Sequence, residues 1–323
     1  MIFSAINSFV GLHNLIEHTA SVVVGLSGGP DSLFLLHYLD DLRKQGKIKR
    51  VIAAHLDHQW RENSASDVIF CRTACEALGV EFVSARLTEL EFPKKLEGSK
   101  EEIGRRARRF FLESVRKEHN ADRIALAHHL QDQEETFFIR LVRGSSLTGL
   151  ISMRPKHGIY IRPLLEISKT DILSYLNEHN IPYLTDPTNE HFDYLRNRIR
   201  ATVLPALQAV DERFDQNFLI TLNRVRDTEE FLEILTQTTL TSIATMHQGL
   251  CVIDIPALLA LHPVMRYRVL MHWLIQAQVP FNPSQSFLDE IIRFLSRDGS
   301  KEHTMHESWK LVKKKNSVYI ETR

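Results

Sequence analysis

The 323-residue chain has only three cysteines, Cys71, Cys75 and Cys251. Cys71 and Cys75 stand four apart in an apolar helical stripe with Ala65, Val68 and Leu78, which reads as core packing rather than a disulfide or metal pair. No apolar run approaches the length of a membrane span, and the first residues, MIFSAINSFVGLHNLI, lack a basic n-region and a small-residue cleavage site. A cytoplasmic protein with no membrane partner is the expectation. Net charge is also missing, because 40 basic and 40 acidic residues cancel. On its face that argues against a nucleic-acid partner. Two common nucleotide signatures are absent as well: there is no G-x-x-x-x-G-K-[ST] lysine and no G-x-G-x-x-G spacing. No internal repeat is evident.

What is present is a soluble globular composition, 43% hydrophobic and 25% charged, in a chain long enough for two domains. Residues 22–39, VVVGLSGGPDSLFLLHYL, organise the rest. Val22, Val23 and Val24 suit a strand covered on both faces, since nothing polar alternates with them. Gly28 and Gly29 permit a tight turn in which Ser27 to Pro30 can form a nest of N–H groups. Asp31 and Ser32 then open a helix striped by Leu33, Leu36, Tyr38 and Leu39. Strand, glycine turn and helix N-terminus together make an anion site, because unpaired N–H groups and the helix dipole converge there. The bland alternative is an ordinary strand-to-helix turn.

Further apolar runs at 50–56, 80–86, 123–130 and 159–165 alternate with helical stretches, which predicts an α/β fold: a parallel sheet with helices on both faces. His55, Asp57, His58 and Arg61 fall at the end of the second strand, where ligands of such sheets gather. The charge is unevenly spread. Lys100–Lys117 carries an excess of four positive charges, Arg196, Arg198 and Arg200 form a second cluster, and Lys310 with Lys313–Lys315 a third. Glu102, Arg106 and Arg109 share one helical face, as a phosphate-gripping set or as a solvated ion-paired face. Asp132 and Glu135 lie three apart on the opening turn of a helix, either capping it or offering a site for an ammonium group or magnesium. A glycosidase pair fits poorly, with no sugar-binding aromatic group beside them. Arg143 sits in a loop beside Gly144, and Arg196 and Arg200 share a face that could track a phosphate backbone. Beyond Pro205 the pattern turns helical, at 214–241, 255–261, 265–277 and 284–295, and closes with two strands at 309–312 and 317–320. The expected domains are 1–207 and a smaller, mainly helical 208–323 ending in a short hairpin.

The S-G-G-x-D-S of residues 27–32 resembles the PP-loop of the ATP pyrophosphatases. With it come HLDHQWRENS at 55–64, E-x-x-x-R-x-x-R-F from Glu102 to Phe110, AHHLQDQEET at 127–136, LVRGSSLTGL at 141–150, RPLL at 162–165 and DPTNEHFDYLRNRIRATVLP at 186–205. These seven blocks, in order, resemble the tRNA(Ile)-lysidine synthases. The departures are Phe110, where that family often has tyrosine, and Ile103 to Arg105, where small residues are usual. The resemblance implies a ligase that uses ATP and magnesium to adenylate the wobble cytidine of isoleucine tRNA with a CAU anticodon. L-lysine then displaces AMP through its side-chain amine. It further implies that Ser27, Gly28, Gly29, Asp31 and Ser32, with His55 and Asp57, hold ATP, and that Asp31 lies near the magnesium. Arg106 and Arg109 would steady the α phosphate, Asp132 and Glu135 would receive lysine, and Arg143, Arg196 and Arg200 would contact the cytidine and its backbone. The base that takes the amine's proton is not identified, with His129 a candidate. No obligatory protein partner is implied, and a homodimer is left open. Longer members carry a further C-terminal domain, so tRNA discrimination is expected to rest here on a shorter surface.

Three rivals compete. A tRNA thiolase would want a C-x-x-C pair, which Cys71 and Cys75 do not form. An amidotransferase would need a glutaminase. An RNA-binding module with a dead nucleotide fold would have a degraded loop, whereas Ser27, Asp31, Asp132 and Glu135 are all present.

Overall fold

Val22, Val23 and Val24 are wholly buried in the computed structural model, which describes residues 2–60, 64–94, 96–185, 195–299 and 301–322. They form β1 (Ser21–Gly25), flanked by β2 (Arg50–Asp57) and β4 (Arg123–Ala125), with β3 (Glu81–Arg86) outside β2. The sheet is completed by β5 (Lys156–His157) and β6 (Tyr160–Ile161) in the order β3-β2-β1-β4-β6-β5, parallel except for the β5–β6 pair. Alternation along β1 divides two cores. Val22 and Val24 face one with Leu33, Leu36, Cys71 and Cys75, whereas Val23 faces another with Ile52, Ala107 and Phe111. Each of these Val, Leu, Ile and Phe side chains contributes about 1.5–3 kcal/mol by leaving water.

The helices α1 (Ile2–Leu12), α2 (Pro30–Lys44) and α3 (Ser64–Leu78) belong to the first core, and α4 (Lys100–Glu118) covers the second. Ser99 caps α4 through a reciprocal box, its hydroxyl accepting from the Glu102 amide at 3.3 Å while the Glu102 carboxylate accepts from the Ser99 amide at 3.1 Å. After α5 (Leu130–Val142), α6 (Leu147–Leu150) and α7 (Lys169–Glu178), the chain continues through α8 (Leu195–Arg198), a π-turn at Ile199–Val203, α9 (Leu204–Val210) and α10 (Phe214–Ile243). Phe214, Phe218 and Leu222 of α10 pack with Leu130 and Phe137 of α5. No helix among the described residues is long and apolar enough to cross a membrane.

The chain divides into two units, Met1–Asn223 and Arg224–Arg323. This division falls inside the 30-residue α10. The second unit adds α11 (Ile255–Ala260), α12 (Pro263–Gln276), α13 (Gln285–Leu295) and an antiparallel sheet. That sheet, β7 (Ala244–His247), β8 (Leu250–Asp254), β9 (Lys301–His306), β10 (Trp309–Lys314) and β11 (Ser317–Thr322), has the order β7-β8-β11-β10-β9. The expected hairpin is therefore there, as β10 and β11, inside a five-stranded sheet. The edge strands ATMH and KEHTMH, with little β-branched or apolar alternation, gave no signal of their own. Trp273, Leu258, Ile291, Leu311 and Val318 form this unit's core.

Candidate active site

At Gly28 the backbone takes a φ of +81°, which an L side chain adopts only at a cost, and a Cβ there would lie 2.7 Å from Leu184 Cδ1. The turn is closed by its serines. The Ser32 hydroxyl donates to the Gly29 carbonyl at 2.9 Å and accepts from the Ser27 amide at 3.1 Å, while the Gly29 amide points to the Ser27 hydroxyl at 3.4 Å. Gly29 is the N-cap of α2 and Pro30 its first residue, so the opening amides of Asp31 and Ser32 have no carbonyl a turn back to receive them.

The C-terminal end of β2 braces the turn. His55 Nδ1 lies 3.0 Å from the Leu26 carbonyl and 3.5 Å from Cys71 Sγ, and burial lowers the imidazole below its ordinary pKa. Burial raises the thiols of Cys71 and Cys75 to about 12, in keeping with core packing. Asp57 accepts from the Gln59 amide at 2.8 Å.

Asp31 is contacted from two sides. Lys169 Nζ, from the first turn of α7, is 2.5 Å from Asp31 Oδ1, and His129 Nε2 is 3.8 Å from Oδ2. His129 is buried at the N-cap of α5, with Nε2 also 3.7 Å from Asp132 Oδ2 and Nδ1 without a partner among the described residues. Next to it the two acids anticipated as a pair do converge. Arg196 Nη2 binds Asp132 Oδ1 at 2.8 Å, Arg196 Nε binds Glu135 Oε2 at 2.6 Å, and Arg200 Nε binds Glu135 Oε1 at 2.5 Å. Burial works to raise the Asp132 carboxyl, but His129, His128 and Arg196 outweigh it and hold it below its usual range. His128 is pushed down to about 4, chiefly by burial, and is neutral at pH 7.

Several expectations are corrected. Arg196 and Arg200 are ion-paired to Asp132 and Glu135 rather than aligned as a free phosphate track. Glu102 caps its own helix and holds no arginine among the described residues. Arg109 is occupied by Glu113 at 2.9 Å over the Tyr160 ring, and Arg106 donates to the Glu97 carbonyl at 3.0 Å. Tyr160 pairs with Ile124 in mid-sheet, so Arg109 is held away from the strand ends. Arg143 is exposed at the end of α5, about 16 Å along the helix from Asp132. Arg61 and residues 186–189 lie outside the described residues.

Sequence reasoning missed three groups. Lys169 sits behind the N-cap Ser168, 138 positions from its partner, and no spacing rule links them. Arg108, one residue from the chosen Arg109, has Nη2 3.5 Å from His58 Nε2. Glu134 is wholly buried, neither oxygen has a partner among the described residues, and burial, with Asp215 and Glu135 adding, raises it to about 8. Among the described residues no group of three or more His, Cys, Asp or Glu is arranged to hold a metal.

Comparison with known proteins gives the family and the fold. Residues 5–207 match the model of a PP-loop domain, and residues 253–319 that of the TilS substrate binding domain. A tRNA(Ile)-lysidine synthase of Bacillus cereus is 32% identical over 301 residues, covering 90% of this chain and 63% of the relative. That of Bacillus subtilis is 36% identical over 263 residues, 80% of this chain and 55% of the relative. The chain thus spans less than two thirds of the length of these relatives. Among solved structures, a U34-tRNA thiolase from Methanococcus maripaludis superposes with a TM-score of 0.58 at 21% identity, over 69% of this chain and 77% of its own, a likeness of fold.

Proposed function

The chain belongs to the PP-loop domain family, and from that premise we propose that it acts as a tRNA(Ile)-lysidine synthase, joining L-lysine to C2 of the wobble cytidine of a CAU anticodon at the expense of ATP. The observation that carries the reading is His129, within 4 Å of both Asp31 of the phosphate turn and Asp132 of the acid–arginine cluster. One residue joins an activating site to a site of mixed charge.

Each part has a task. The turn and the first amides of α2 hold the β and γ phosphates of ATP, leaving the α phosphate open to the cytidine O2. A bond forms from O2 to that phosphorus and pyrophosphate leaves. Asp31, 28% exposed, suits magnesium, which is often held by one or two carboxylates plus the phosphates themselves. The ion would screen charge on the departing pyrophosphate. Lys169 holds Asp31 otherwise, and on release its ammonium is a cation for the same phosphates.

Free lysine is a zwitterion with an additional ammonium, and the cluster offers both signs to it. Asp132 and Glu135 suit an ammonium, and the guanidiniums of Arg196 and Arg200, 37% and 46% exposed, suit the carboxylate. The side-chain amine, with an ordinary pKa of about 10.4, must shed a proton before it attacks C2. His129 is the base we assign. Its Nε2 lies between Asp31 and Asp132, 3.8 and 3.7 Å from them, on the side where the amine would arrive. The amine forms the new C–N bond, the C2–O2 bond breaks, and AMP leaves with the oxygen.

The direct test is incubation with ATP, labelled lysine and an isoleucine tRNA transcript bearing CAU. Label should enter the RNA only when ATP is present. ATP cleavage with no label in the RNA rejects the assignment.

A further inference from the structure

Beyond the phosphate turn and the acid–arginine cluster, the C-terminal edge of the sheet carries an aromatic feature without a task. Gln59 takes a φ of +55°, which turns the chain so that the rings of His58 and Trp60 stack, centroids 4.5 Å apart at 24°. Trp60 lies against α4 where Gly104 leaves room, since a Cβ there would stand 2.3 Å from its ring. Lys100 Nζ lies 5.0 Å from the ring centre, Arg108 meets His58, and Arg105, Arg106 and Arg108 are exposed on the same helix. The indole remains 40% exposed, whereas Trp273 is 1% exposed.

A large, positioned, half-exposed ring bordered by cations is the pattern by which proteins take unpaired nucleic-acid bases: the π-face stacks and the charges follow the backbone. Resting on the proposed function, we infer that Trp60 is a stacking shelf for an unpaired base of the RNA substrate, next to the cytidine being modified. The adenine of ATP fits the position less well. Gly28 of the phosphate turn abuts Cys71 of α3 and Leu184, on the first-core side of the sheet, while Trp60 lies on α4, on the second. His58 is lowered to about 4 by burial and Arg108, so a neutral ring backs the shelf. A base would displace only the flexible end of Lys100.

The test uses the full chain, a CAU anticodon stem-loop RNA and, separately, ATP with magnesium, read by tryptophan emission and by dissociation constants. The RNA should quench emission in the wild-type chain and much less in Trp60→Phe, while ATP alone should not quench it. Trp60→Ala should weaken RNA binding between about 5- and 150-fold and leave ATP binding unchanged. Trp60→Phe should retain most of the affinity. Gly104→Ala, which pushes the ring aside yet favours the helix, should weaken RNA binding without lowering thermal stability. Unchanged RNA affinity in Trp60→Ala overturns the shelf, as does quenching by ATP alone. RNA that binds and quenches but never accepts lysine supports the shelf and rejects the proposed activity, so the two failures are distinct.

Discussion

Glu134 puts a carboxyl where no described group receives it, beside Asp215 and Glu135. Its proton sets a sign for pH dependence. Raised from its ordinary 4.5 to about 8, it stays protonated in the fold through a window in which the unfolded chain has lost the proton. Stability must therefore fall as pH rises from 4.5 towards 8. Glu134→Met should remove that slope and raise the melting temperature at pH 8 by about 5 °C, checked by melting both proteins across pH 5–9. Equal slopes would show that Glu134 is already ionised. Glu135 is the opposite case, wholly buried but bound by two guanidiniums. Glu135→Ala should cost about 2–3 kcal/mol in a denaturant titration, less than a fully buried pair because the arginines are partly exposed. Asp132→Ala should raise the lysine KM more than it weakens tRNA binding, measured by lysine dependence beside a binding titration; equal losses would make Asp132 merely structural.

The conformation of the turn at 27–32 was legible because its constraints are local: β-branched residues before it, glycines within it, an aspartate and a serine after it. Gly28→Ala measures that constraint. The positive φ costs about 1–2 kcal/mol in an L residue, and the new Cβ meets Leu184, so ATP affinity should drop about tenfold or more in a nucleotide-binding titration. The acid pair on α5 was legible for the same reason, as a spacing on one turn. The α4 arginines were not. One face of a helix recurs every three or four residues, so Arg106 with Arg109 and Arg105 with Arg108 are equal candidates until packing decides. Burial of Ala107 and Phe111 in the second core fixes the helix's rotation, and Arg108 then reaches His58. Lys169 is a tertiary meeting across 138 residues, outside the reach of periodicity.

At the scale of the molecule, the parallel sheet followed from buried apolar runs alternating with helices, since that pattern admits few topologies. The five-stranded sheet of the second unit did not, because its edge strands are short and polar. Its core is its own, with Trp273 at 1% exposure among Leu258, Leu270 and Ile291. Trp273→Ala should cost about 3–5 kcal/mol there. Hydrogen exchange should show lost protection across residues 224–323 while β1 and β2 keep theirs; uniform loss would mean that the two units unfold as one. The central claim is that one site couples adenylation to the arrival of an amine. Its most direct measurement is the stoichiometry of a single reaction: lysine in the CAU tRNA, AMP and pyrophosphate counted together. Equal amounts of the three, with the lysine on the wobble cytidine, are expected. AMP and pyrophosphate that accumulate at the same rate whether or not lysine is present, with none reaching the tRNA, would contradict it.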